Sequence, residues 1–170
     1  MNGVIYQERM VLIPPIMALL VIASAIGLVA FAIYEILTVD KFLESPGGLV
    51  LMVSAIMMVI LSIALSSLKL KIIVTYDSLQ VGLFKGRVVS LNDIHSVTAE
   101  DFSPMKDYFG WGIRVGRKGV GYIAAGTKKG LRINLNAGKS FFISSKRTFE
   151  FESAMNTVLK AKKNSSRIDP

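Results

Sequence analysis

Residues 108–126 read YFGWGIRVGRKGVGYIAAG, a stretch in which glycine recurs every two to five residues among aromatic side chains and three positive charges. Its reading decides the fold class. Glycines at such spacing serve either the phosphate-binding turn of an α/β protein or the bends of a small sheet. Gly110, Gly112 and Gly116 spell GxGxxxG rather than GxGxxG. No βαβ pattern precedes them, and no helical pattern follows to aim a dipole at a pyrophosphate. Gly138-Lys139-Ser140 has the ending of a Walker A loop, but the earlier glycine it needs would stand at Ile133, and Phe141-Phe142 follows where a helix should begin. The glycines therefore read as bulges, tight turns and corners of an all-β region.

The flanking sequence agrees. KLKIIVTY (69–76), LQVGLF (79–84), RVVSL (87–91) and IHSVTAE (94–100) are short β-prone runs separated by Asp77-Ser78, Lys85-Gly86 and Asn92-Asp93, the pattern of a meander. In LRINLN (131–136), Leu131, Ile133 and Leu135 alternate with Arg132, Asn134 and Asn136; Asn136-Ala137-Gly138 then turns the chain into KSFFIS (139–144). One helix is expected over residues 148–163, where Phe151, Met155, Val158 and Leu159 form a single apolar stripe. Glu150 and Glu152 in its first turn and Lys160, Lys162 and Lys163 in its last complement the helix dipole. The expectation is a small barrel or sandwich closed by a C-terminal helix, with a disordered polar tail at 164–170.

The first third of the chain is of another kind. Hydrophobic residues make up 52% of the 170, too many for an ordinary soluble domain, and the excess lies in two charge-free windows, residues 10–34 and 47–68. Each is long enough to cross a hydrocarbon core of about 30 Å as a helix. Pro14-Pro15 suits a helix start, SPGG (45–48) precedes the second window, and Lys69 and Lys71 end it. Ala23-Ser24-Ala25 has the small-x-small form of a signal-peptide cleavage site, but the apolar run continues to Tyr34 and only Arg9 is basic before it, so an uncleaved helix is expected. Residues 1–68 carry two basic and four acidic side chains, whereas residues 69–170 carry eighteen and eight. By the positive-inside rule, both termini are expected in the cytoplasm of a multi-pass cell-membrane protein. The organisation expected is a transmembrane hairpin at 1–68 and a cytoplasmic domain at 69–163. Neither span contains an ionisable residue, which argues against a transporter or channel unless the protein oligomerises. Ala23 with Gly27, and Ser62 with Ser66, are small-xxx-small pairs that would allow close helix approach.

The succession of GWGIR (110–114), a spaced Gly-Tyr, GLRINL (130–135), GKSFFISS (138–145) and an amphipathic helix resembles the bacterial pleckstrin-homology-like (PH-like) domains, often found behind one or two membrane helices. The likeness covers roughly residues 69–163. It implies about seven antiparallel strands in two bent sheets, with a C-terminal helix plugging one end, and no shared catalytic residues.

Absence of cysteine excludes disulfides and thiolate chemistry, and a single histidine leaves no His-rich metal cluster. The acid–base candidates Asp77, Asp93, His95, Glu100, Asp101, Asp107, Glu150 and Glu152 show no spacing that implies shared work, so neither enzymatic activity nor a cofactor is expected. Recognition is the remaining class. Lys85 and Arg87 flank one turn, Arg114, Arg117 and Lys118 a second, and Lys128, Lys129 and Arg132 a third. These are the candidate contacts with a protein partner or, in the alternative, with anionic lipid headgroups of the bilayer. Nucleic acid is the weaker form of that alternative, because Phe102, Tyr108, Phe109 and Trp111 cluster instead of interleaving with the basic residues. The first function expected is a membrane-anchored binding module or scaffold that offers a groove or sheet edge to a protein.

Overall fold

A computed structural model describes residues 3–39, 45–84 and 86–165. The turn residue Lys85, the tip of the loop between the two apolar segments and the tail from residue 166 onward lie outside the described residues. In chain order the elements are β1 (Val4–Val11), α1 (Pro15–Thr38), α2 (Pro46–Ser67), β2 (Lys69–Thr75), β3 (Ser78–Gly82), β4 (Arg87–Ser90), β5 (Ile94–Asp101), α3 (Pro104–Tyr108), β6 (Gly112–Gly116), β7 (Gly119–Ile123), β8 (Lys129–Leu135), β9 (Ser140–Ser144) and α4 (Thr148–Ser165). The chain divides into two compact units, residues 13–68 and residues 1–12 with 69–170.

The first unit is the helical hairpin, and α1 and α2 are both long and apolar enough to cross a membrane. The Ser45 hydroxyl caps α2 by accepting the Gly48 N–H at 2.9 Å. Ser24, Ser54, Ser62, Ser66 and Ser67 each donate to the carbonyl four residues back, which satisfies their hydroxyls inside the helix. Of the expected small pairs only Ser62 is buried; the helices meet through it and through other small residues. Ala25 and Ala32 of α1 and Gly48, Ala55 and Ser62 of α2 are buried, whereas Ala23 and Gly27 face outward. These buried positions recur every seven residues, the period of a left-handed helix crossing.

The second unit holds two sheets. A four-stranded antiparallel sheet runs β1-β2-β3-β4, and a five-stranded sheet runs β5-β8-β9-β7-β6. Two expectations are corrected here. Of the expected barrel or sandwich, the β region is two sheets rather than a single barrel; they hold four and five strands instead of about seven in all, and β7 pairs with β9 in parallel rather than antiparallel. One added strand comes from the N-terminus. Within residues 1–68, expected to be membrane hairpin alone with a first span from residue 10, Val4–Val11 is a strand, and α1 starts at Pro15. Val11 pairs with Lys69 and Val4 with Thr75, so the hairpin is inserted between two neighbouring strands of one sheet.

The pattern that makes β1 a strand is plain once its partner is known: Tyr6, Glu8 and Met10 face inward in alternation, and Leu12 follows. Glu8 is the unusual member. It is buried, and its carboxylate accepts from the Tyr6 hydroxyl at 2.7 Å, the Ser145 hydroxyl at 2.7 Å and the Lys146 N–H at 3.0 Å. The Tyr6 ring stacks on Phe151 of α4 at 5.1 Å, and its phenol is pushed well above its ordinary range by burial, with Glu8 adding to the effect. Arg147 donates to the Gln7 carbonyl, which closes the lock between β1 and the start of α4.

Leu70, Ile72, Val74, Leu79 and Val81 of one sheet and Leu131, Ile133, Phe141 and Ile143 of the other are fully or almost fully buried. Of the expected α4 stripe, Phe151, Met155 and Val158 are buried and Leu159 is half-buried, and α4 packs against β1 and β2 of the first sheet and β5 and β8 of the second.

Candidate functional site

The basic residues singled out in the sequence, Lys85 lying outside the described residues, stand in several different settings. Arg132 of β8 is a structural hub. Its Nε donates to Glu100 at 2.7 Å, one terminal nitrogen to the Lys118 carbonyl at 3.0 Å and the other to the Tyr108 hydroxyl at 3.2 Å. The Glu100 hydrogen bond is the main reason that its guanidinium holds its proton even more firmly than usual. Lys118 pairs with Asp107 at 3.4 Å and Lys129 with Asp101 at 3.6 Å. Arg114 donates to the Trp111 carbonyl, Arg117 lies over the Phe109 ring at 5.9 Å, and Arg87 lies over Phe141 at 4.8 Å. Lys128 and Lys129 line a recess with Lys146, Trp111 and Phe149.

The opening stretch explains where those residues stand. Tyr108 ends α3, is fully buried, and stacks on Phe142 at 5.5 Å while meeting Phe102 edge-on at 6.0 Å. With Ile123 these residues form a second small core against which Trp111 packs. Two glycines make room for it. A side chain at Gly121 would run into the Tyr108 ring, and one at Gly116 into the Asp107 carbonyl and the Tyr108 backbone. Asp107 accepts the Ser103 N–H at 2.9 Å; that bond and then Lys118 hold its carboxyl below the usual carboxylate range. Gly116 and Gly121 thus serve close packing on a sheet, while Gly110, Gly112 and Gly119 supply positive-φ bends.

The feature with the geometry of a binding site lies elsewhere. Between β5 and the second half of α4 runs a groove of about 660 Å³. Leu91, Ile94, Val97 and Leu159 give it apolar walls; His95, Ser96 and Asn156 add polar groups; Lys160, Lys162 and Lys163 stand on the α4 side. Among the described residues no carboxylate lines it. Among the described residues β5 is the outermost strand of its sheet and pairs with β8 alone, so its second edge carries backbone N–H and C=O groups without a strand partner there. The pairing is irregular between Ile94 and Ser96 and continuous from Ser96 to Asp101.

Sequence reasoning placed β5 and the α4 lysines in separate elements and treated Leu159 as part of the core stripe. It had no signal that the two would face one another. Among the described residues no cluster of three or more His, Cys, Asp or Glu side chains is arranged to hold a metal ion. In comparisons with known proteins, no family model, no curated protein and no solved structure matches the chain.

Proposed function

We propose that this protein is a membrane-anchored binding module whose β unit, PH-like in having two sheets closed by a C-terminal helix, presents the β5–α4 groove to a protein partner on the cytoplasmic side. The observation that carries the reading is the open edge of β5 beside an apolar groove, the arrangement used by proteins that recognise extended segments. Pairing of β1 with β2 supports the topology. Segments on either side of the hairpin belong to one sheet, so two membrane crossings return the chain to the side it left. It also supports retention of the first helix, because cleavage after Ala25 would remove Tyr6, Glu8 and Met10 from the core.

The reading is tested by photo-crosslinking in intact membranes. The chain has no cysteine, so a crosslinker can be attached at a single cysteine replacing His95, with exposed Ser153 as the control position. A protein adduct formed from position 95 and absent from position 153 is expected; equal or no adducts from both would defeat the reading. A second reading, contact with anionic lipid, is favoured by one observation: Lys128 and Lys146 line a recess beside Phe149, whose side chain is 83% exposed. Lipid adducts from a crosslinker at Lys146 are its expected signature.

A further inference from the structure

We infer that β1 is a strap through which movement of α1 against α2 is passed to the start of α4: drawn toward the membrane helix, β1 leaves its seat as a unit and takes with it the anchors of Ser145, Lys146 and Arg147. The inference stands apart from the β5–α4 groove and requires only that the hairpin span a bilayer.

The connection has almost no slack. Leu12 is buried in the β unit and α1 starts at Pro15, so only Ile13 and Pro14 lie between them, two residues that reach at most about 7 Å. On the other side Leu68 alone separates α2 from β2. Val11 and Lys69 stand opposite each other in the β1–β2 ladder, so both ends of the hairpin enter one sheet side by side. A shift of one helix along the other is therefore taken up in that ladder.

The two strands do not resist such a shift equally. β2 lies between β1 and β3, and its inward residues Leu70, Ile72 and Val74 are fully buried. Among the described residues β1 pairs with β2 alone, its register is irregular between Val4 and Tyr6, and the centre of its inward face is Glu8. A carboxylate that leaves its donors regains hydration, which offsets part of the cost of unseating it. The flanks differ in the same sense. Met10–Ile13 is uncharged and can follow α1 toward hydrocarbon, whereas Lys69 and Lys71 hold the end of α2 at the surface. β1 is the strand that yields.

It yields in one step. A slip of one residue would turn Tyr6, Glu8 and Met10 outward, and a slip of two would bring Tyr6 or Met10 to the place of Glu8 beside Lys146. Neither register keeps both the inward pattern and the carboxylate. The load falls on three consecutive residues. The Ser145 hydroxyl and the Lys146 N–H donate to Glu8, and Arg147 donates to the Gln7 carbonyl while lying over the Tyr6 ring at 5.1 Å. The Arg147 carbonyl in turn accepts the Phe151 N–H, and Phe151 stacks on Tyr6. Release of β1 thus loosens the first turn of α4.

The test is hydrogen exchange, read by mass spectrometry, on the full chain in nanodiscs of short-chain and of long-chain phosphatidylcholine. A thicker bilayer draws the apolar ends of the helices inward. Amides of residues 4–12 and 145–151 are expected to exchange roughly tenfold or more faster there, together, while those of β3 and β8 stay unchanged. Insertion of a Gly-Ser-Gly-Ser segment between Ile13 and Pro14 supplies slack and is expected to abolish the difference. Equal exchange of residues 4–12 in the two bilayers overturns the inference, as does a response there that leaves 145–151 protected, or one that persists with the insertion. Protection of β3 and β8 reports whether the insertion variant is folded; if it is not, the wild-type chain in the two bilayers decides by the same criteria.

Discussion

Replacing Glu8 with alanine tests whether the segment before the first apolar helix is truly part of the β unit. Glu8 is 6% exposed, and its carboxylate accepts three hydrogen bonds, from the Tyr6 and Ser145 hydroxyls and the Lys146 N–H. Without it, the two hydroxyls retain each other at 3.3 Å, but the Lys146 N–H loses its acceptor. That orphaned donor costs about 2 kcal/mol, and the two lost charge-assisted bonds about 1 kcal/mol each in net terms. Relief from desolvating a carboxylate returns about 1 kcal/mol. The expected destabilisation is therefore about 3 kcal/mol, more than a hundredfold in the folding equilibrium. Glu8→Gln retains an acceptor for Lys146, and the hydroxyls can rotate to meet the amide, so it should cost about 1 kcal/mol. The assay is urea unfolding of the full chain in detergent, followed through the single tryptophan, Trp111, which packs against the second small core. Because Trp111 is remote in sequence from Glu8, a shifted midpoint would report cooperative loss of the whole unit. A change below about 0.5 kcal/mol for Glu8→Ala would refute the lock, since surface substitutions have effects of that size.

Two further expectations follow from the α3 corner. Gly121→Ala would place a methyl group 2.5 and 2.6 Å from two Tyr108 ring carbons, on a ring fixed between Phe102 and Phe142; a loss of about 2 kcal/mol in the same unfolding assay is expected, and an unshifted midpoint would mean that the ring moves aside freely. Asp107 has a lowered carboxyl pKa in the folded chain, through the Ser103 N–H and then Lys118, so its stabilising contribution is present above the unfolded carboxylate range, near pH 4, and is lost as pH falls through the depressed value. Asp107→Asn should thus be less stable than wild type at pH 7, with the gap closing in strong acid; a gap independent of pH would show that the side chain acts through shape alone.

Much of the plan was legible from residue pattern. Two apolar windows, the meander from Lys69, the Leu131-Ile133-Leu135 alternation and the Phe151-Met155-Val158 stripe all report burial directly, because period and length are local properties of the chain. β1 escaped because its inward position 8 is a glutamate and because Met10, Val11 and Leu12 merge into the apolar helix that follows. The carboxylate is tolerable there only because three donors from residues 6, 145 and 146 surround it, and a separation of nearly 140 residues leaves no local trace.

The basic residues make the same point from the other side. Counting charges along the chain cannot distinguish Arg132, consumed by Glu100, Tyr108 and a carbonyl, from Lys160, which lines a groove. By itself the sequence determined that one part of the chain is apolar enough for a membrane and the other is a sheet structure with a closing helix, since hydrophobic period is written residue by residue. Only the tertiary structure decided that the N-terminus completes the first sheet, that Gly116 and Gly121 seat Tyr108, and that β5 shares a groove with the lysines of α4. Those outcomes depend on strand order and register, which arise from contacts between distant segments and from the competition among them.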